Sequence, residues 1–249
     1  MVNAKVIWKS IGISVMASLM IAAVVWGYKM TPTATPCVSM DYTIADREER
    51  LYLSETELNQ LLRTEDLYPV GRPIDRISLH RIEKAIAHHP MVRTAECYIT
   101  PRNEVHVRLT QRIPLLRVQV PTDAYFVDTD RRVMPVRAAV QDEVLLVTGN
   151  AGVQLASGAL ANFAIWLQDN SYWRSRIKRV HVLNPHMLVL HLADAQVPPV
   201  VLGNLIGYDR KLNKLRTFLE NGTEETAGKH YAELDIRFRG QVIGRKDNH

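Results

Sequence analysis

The chain has 249 residues with 47% hydrophobic and 23% charged side chains, a composition under which most of it folds as ordinary globular protein, with room for a short anchor plus one or two modest domains. Glycine and proline number 12 each, which excludes collagen-like or low-complexity character. The formal net charge of +5 is small and scattered, so nothing points to nucleic-acid binding.

From Ile11 to Tyr28 the chain reads IGISVMASLMIAAVVWGY, with no charged side chain. As a helix this stretch spans about 27 Å, close to the thickness of a bilayer core. Trp8, Trp26 and Tyr28 stand at its ends, where amphipathic rings favour the headgroup zone. Lys5 and Lys9 precede it and no basic cluster follows, which predicts residues 1–10 in the cytoplasm, a membrane span over 11–28 and the bulk outside. A cleaved signal peptide is the alternative, but Thr33-Ala34-Thr35 is a poor cleavage site. Residues 29–37 then read as a short extended linker. Cys37 and Cys97 are too few for a disulfide framework. They read as two unpaired thiols, with a single bridge as the alternative outside the cytoplasm.

Val38 to Ile44 is a candidate strand. Ser54 opens a helix with Glu57 three residues on, and Leu53 and Leu58 staple it, with Leu58, Leu61 and Leu62 as its apolar stripe. Pro69, Gly71 and Pro73 break the chain. A second helix starts at Ser78, buries Leu79, Ile82 and Ile86, and stops before Pro90. Two period-two strands follow, Ala95-Cys97-Ile99 and Val105-Val107-Leu109, joined by a turn at Thr100–Asn103. A hairpin with two helices over one face is a small α+β domain, predicted over 38–112.

Leu116–Val120, Ala124–Val127, Val133–Val136 and Val144–Thr148 read as strands, and 157–173 as a helix of blurred periodicity. Ile177–Leu183, Met187–Leu192 and Val197–Leu202 read as strands. Asp209 caps a helix carrying Leu212, Leu215, Phe218 and Leu219, stopped by Asn221-Gly222. Tyr231 to Arg239 reads as the last strand of a second domain over 113–240, and 241–249 as a trailing tail.

Two runs make the chain recognisable. His89-Pro-Met-Val-Arg-Thr-Ala-Glu-Cys-Tyr-Ile-Thr-Pro101, then Val105-His-Val-Arg-Leu-Thr-Gln-Arg-Ile-Pro114, resemble the POTRA domain of the bacterial cell-division family FtsQ/DivIB. Downstream, Arg112, Pro114, Leu116-Arg117-Val118, Tyr125-Phe126-Val127-Asp128, Met134-Pro135, Val200-Val-Leu-Gly-Asn204 and Leu234-Asp-Ile-Arg-Phe238 are similar to that family's C-terminal β domain. The chain departs from the pattern at Arg131-Arg132, where the family often has glycine in a tight turn. The fold class the resemblance implies is α+β: one transmembrane helix, a POTRA-like domain, then a mixed β-sheet domain with flanking helices.

Chemistry-bearing residues do not assemble. His181, His186 and His191 recur every five residues, which sends successive ones to opposite strand faces, and no Cys/His set has zinc spacing. No G-x-S-x-G is present, and Gly149-Asn-Ala-Gly152 lacks a phosphate-binding lysine. The expectation is therefore no enzyme, no catalytic residue, no cofactor, no metal and no small-molecule substrate.

The resemblance implies a divisome scaffold in the cytoplasmic membrane at the septum. Its partners would be small single-pass coiled-coil division proteins of the FtsB/FtsL type and, through them, septal peptidoglycan synthesis proteins. From the residues, the expected binding mode is addition of a partner strand to the last strand of the β domain. Arg237 would pair a partner carboxylate and Phe238 would be an apolar anchor, with Gly240, Gln241, Val242 and Ile243 presenting backbone. The alternative is a POTRA-bearing component of outer-membrane protein transport, which would call for tandem POTRA units or a barrel; an envelope enzyme is a third reading.

Overall fold

The computed structural model describes residues 15–22, 35–45, 53–121, 123–137, 144–221 and 231–246. The span expected from Ile11 to Tyr28 falls largely outside them. Its described part, 15–22, is helical and exposes Val15, Met16, Leu19, Met20 and Ile21. Among the described residues no helix is long and apolar enough to cross a membrane. The rest divides into two compact units, one carrying Ser54–His89 and Thr94–Thr110, the other Pro90–Arg93 and the chain from Gln111 onward.

In the first unit, β1 (Met40–Ile44), α1 (Glu55–Thr64), α2 (Leu79–Ala87), β2 (Val92–Ile99) and β3 (Val105–Gln111) follow one another. Ser54 caps α1 by accepting the Glu57 N–H at 3.1 Å, so the predicted cap forms. α1 buries Leu58 and Leu62, and α2 buries Ile82, Ala85 and Ile86. Val105, Val107 and Leu109 on alternate positions of β3 are buried, as period-two patterning requires. The sheet order is β1-β3-β2, with β1 parallel to β3 in the register Met40↔Val105. The end of the predicted linker belongs to this unit. The Cys37 amide donates to the Arg72 carbonyl at 2.9 Å, its carbonyl accepts from Gly71, and its side chain is buried. Both cysteines are free thiols. Burial, then the nearby Glu83 carboxylate, pushes the Cys97 thiol up to about 12.

Among the described residues the second unit is a nine-stranded sheet with helices. Its strands are β4 (Pro114–Val120), β5 (Asp123–Asp128), β6 (Val133–Pro135), β7 (Leu145–Gly149), β8 (Ile177–Asn184), β9 (Met187–Leu192), β10 (Val200–Gly203), β11 (Glu233–Asp235) and β12 (Ile243–Arg245). Their order is β12-β11-β10-β9-β8-β7-β4-β5-β6. Register aligns Tyr125, Val118, Val147, Val180, Leu190, Val200 and Leu234 in one row across the sheet, and all are buried in the core. That row packs against α3 (residues 153–169) and α5 (Tyr208–Asn221) through Leu160, Phe163, Ala164, Leu212 and Leu215. The adjacent positions form rows on the opposite face: Gln119, Thr148, His181 and Val189, then Arg117, Leu146, Arg179 and His191.

One predicted helix, 157–173, is two. Residues Ala156–Leu160 wind as a π turn inside α3, which adds a residue per turn and blurs the 3.6 period. At Asn170 the backbone turns extended, and its side chain accepts the Trp173 N–H at 3.2 Å to cap the short α4 (Ser171–Arg174). The turn after β5 closes although it lacks glycine. Arg131 takes the left-handed conformation at φ 65°, the Asp128 side chain accepts the Arg132 N–H at 2.7 Å, and buried Arg112 pairs with Asp128 at 2.7 Å.

Candidate partner-binding edge

A sheet of this order has two ends, β6 and β12. β6 finishes at Pro135, which has no N–H to offer a further strand. β12 carries Ile243-Gly244-Arg245 with no proline, and it pairs antiparallel with β11 in the register Glu233↔Arg245, Leu234↔Gly244 and Asp235↔Ile243. Two sequence expectations are corrected here. The last strand does not run from Tyr231 to Arg239, and 241–249 is not wholly a tail, because residues 243–245 are the edge strand itself.

β11 is short because its own side chain turns the chain. Buried Asp235 accepts the backbone N–H of Arg237 at 3.1 Å, a local bond that competes with the ladder. It also receives the Arg237 guanidinium, Nε at 3.0 Å from Oδ1 and Nη2 at 2.6 Å from Oδ2. The Arg237 hydrogen bonds outweigh burial and hold the Asp235 carboxyl below its ordinary range, and the same bonds raise Arg237. Arg245 reaches back from the edge, Nη1 at 3.0 Å from Glu233 and Nη2 at 3.6 Å from Asp235. The Arg237 stem lies over Gly203. That residue has φ +75°, and a Cβ there would stand 2.9 Å from both Cγ and Cδ of the arginine.

α5 secures the turn from the other side. Lys214 donates to the carbonyls of Ile236, at 3.0 Å, and Phe238, and Lys211 donates to Leu202 at 3.1 Å and Asn204 at 2.9 Å. Burial lowers both lysines, with Lys214 adding to the effect at Lys211 and Asp235 opposing it at Lys214. The two ammoniums thus tie α5 to backbone carbonyls at the end of β10 and around the turn after β11. Ile236 itself is fully buried.

The six residues expected to bind a partner fall into three settings. Arg237 is engaged by Asp235 inside the protein. Phe238 is 46% exposed, with the Arg237 guanidinium 5.6 Å from its ring centre, and begins the turn to Gly240 and Gln241. Gly240 sits at φ +75° with open space where a Cβ would stand. Val242 is half-buried against the core, and Ile243 lies in β12. Gly244, Arg245 and Tyr231 escaped the sequence reading. A Cβ on Gly244 would stand 2.4 Å from the Tyr231 ring, so the ring covers the glycine and braces the edge. Only the spacing Tyr231…Gly244 could have hinted at it. Beside this brace lies a cavity of about 390 Å³ lined by Leu192, Phe218, Leu219, Tyr231 and Leu234, with Arg176 and Glu220 at its polar side.

Nucleophile, base and oxyanion donor do not converge at this edge. Its polar groups are arginines and lysines held by carboxylates and backbone carbonyls. A family model described as FtsQ/DivIB, C-terminal related, matches residues 113–245, more than half of the chain. The chain belongs to the FtsQ/DivIB family. A second model, described as a POTRA-like domain, matches residues 35–110 of the same chain, so the FtsQ/DivIB resemblance seen in the sequence holds across both units. A search of curated proteins finds no match. FtsQ/DivIB membership supports a cell-division scaffold role, in a family known as non-enzymatic division proteins with division-protein partners.

Proposed function

We propose that this protein is a non-enzymatic divisome scaffold that captures a strand of a small single-pass coiled-coil division protein, of the FtsB/FtsL type, on the free side of β12. The observation that carries the reading is the contrast between the two sheet ends. β6 is closed by Pro135, whereas β12 is braced, proline-free and flanked by the exposed Phe238 ring. Main-chain pairing supplies general affinity in such an addition, and side chains beside the edge supply selectivity. In this reading Phe238 is the apolar anchor, Gly240 and Gln241 shape the approach, and Val242 and Ile243 bring the backbone into register. Arg237 holds Asp235 and the turn, which fixes the Phe238 ring beside the edge. The apolar segment over 11–28 anchors the chain in the cytoplasmic membrane, with the POTRA-like unit and the β unit outside, so that partners and septal cell-wall synthesis proteins gather at one site.

The test is a pull-down of the full chain from detergent-solubilised envelope, beside Phe238→Ala. Small coiled-coil membrane proteins captured by the parent chain and lost with Phe238→Ala, at unchanged melting temperature, support the reading. Equal capture by both discards the edge anchor and keeps the scaffold. Capture of outer-membrane barrel precursors instead overturns the scaffold.

A further inference from the structure

The sheet of the second unit has a face that the helices do not use. Arg117, Arg179, His181 and His191 stand on it in adjacent rows of β4, β8 and β9, and none belongs to the apolar core. Arg179 is exposed and forms no ion pair among the described residues, while His181 and His191 are half-buried. The remaining positions of these rows on β4, β7, β8 and β9 are Gln119, Leu146, Thr148 and Val189, so the face carries no carboxylate there. On β10, Val201 continues the row without charge. The next acids across the sheet are Glu233 and Asp235 of β11, already held by Arg245 and Arg237. Arg179 and His191 are direct cross-strand partners, an arrangement of like charges that is unfavourable once the imidazole is protonated. Burial, then Arg179 and then His181, lowers His191 from its ordinary value. His181 is steadied by the Thr148 hydroxyl, 2.9 Å from its Nδ1.

We propose that this open face docks an acidic segment of a partner polypeptide, seated across Arg179 and gripped more tightly as His191 gains a proton. A carboxylate laid on the face relieves the Arg179–His191 repulsion and accepts the guanidinium fork. The strands β4, β7, β8 and β9 that carry these rows span about 15 Å, enough to seat one extended or helical segment across Arg179. The site is separate from the β12 edge, so each stands or falls without the other.

The probe is a fluorescein-labelled oligo-aspartate of about ten residues, read by fluorescence anisotropy against the full chain in detergent at low salt. The affinity should rise about threefold or more between pH 7.5 and pH 5.0, because His191, lowered from its ordinary value, gains its proton toward the acid end while carboxylates of ordinary pKa stay charged. Arg179→Ala should weaken binding about tenfold. His181→Gln combined with His191→Gln should abolish the pH response at an unchanged melting temperature. Unaltered affinity in Arg179→Ala, a pH response that survives the double substitution, or equal binding of an oligo-asparagine control overturns the proposal. So does binding of anionic-lipid vesicles through these residues without peptide binding.

Discussion

Asp235→Asn removes one charge from the edge while keeping its shape. The parent carboxylate takes four hydrogen bonds from three Arg237 donors within 3.1 Å and faces Arg245 at 3.6 Å, and its own side chain is 1% exposed. A buried hydrogen bond to a charged group contributes about 1.5–3 kcal/mol. Arg237 is 32% exposed, so solvent screens part of its charge, and the amide still accepts the Arg237 N–H; the net loss at neutral pH is about 1–2 kcal/mol. That corresponds to a urea midpoint lower by about 0.5–1 M, or a melting temperature lower by about 3–8 °C. Tryptophan fluorescence is the assay, since Trp166 and Trp173 lie in the second unit and residues 35–110 contain no tryptophan. The pH dependence has a fixed sign. The Asp235 carboxyl is lowered in the folded state, so its contribution is complete above the unfolded value of about 3.9 and disappears as pH falls through the folded value. Parent and variant therefore differ at pH 7 and pH 5 and converge in stronger acid. Equal stability at pH 7, or a gap that persists undiminished into strong acid, refutes the reasoning.

Phe163→Ala empties a fully buried site whose ring stands 5.1 Å from Tyr208 and 6.2 Å from Trp166, and costs about 3–5 kcal/mol, with a changed near-ultraviolet dichroism spectrum. Arg131→Gly relieves a left-handed arginine at φ 65° and should raise stability by about 0.5–1 kcal/mol in the same urea titration. The Cys97 thiol, pushed up to about 12, should react with iodoacetamide far more slowly at pH 8 in the folded protein than in urea; equal rates would contradict its burial.

The first unit was legible because its signals are local. Ser54 before Glu57, the Leu58–Leu62 stripe and the Val105-Val107-Leu109 alternation each specify an element within a few residues, and each forms as read. What local pattern could not supply is pairing: β1 lies parallel to β3, and the nine-strand order depends on contacts far apart in sequence. The edge was misread for a physical reason. Leu234-Asp-Ile-Arg-Phe238 alternates like a strand, and Ile236 is indeed buried, but Asp235 bonds to Arg237 and turns the chain before Phe238. Arg237 looked like a free hook because its acceptor, two residues away, reads as an ordinary outward position. β12 was invisible because three residues with a central glycine carry almost no strand signal, and its support, Tyr231 over Gly244, comes from thirteen positions upstream. The π turn in α3 likewise replaced a clean helical period with an irregular one.

Hydrogen exchange at the edge, with and without the captured coiled-coil partner, tests the central claim most directly. Leu234 gives its N–H to Pro199, so across from it Gly244 turns its own N–H to the free side of β12. A strand added to β12 covers that amide, which should exchange at least about tenfold more slowly in the complex, and Phe238→Ala should weaken both protection and binding. A partner that binds the full chain while the Gly244 amide exchanges at its free rate would contradict the account.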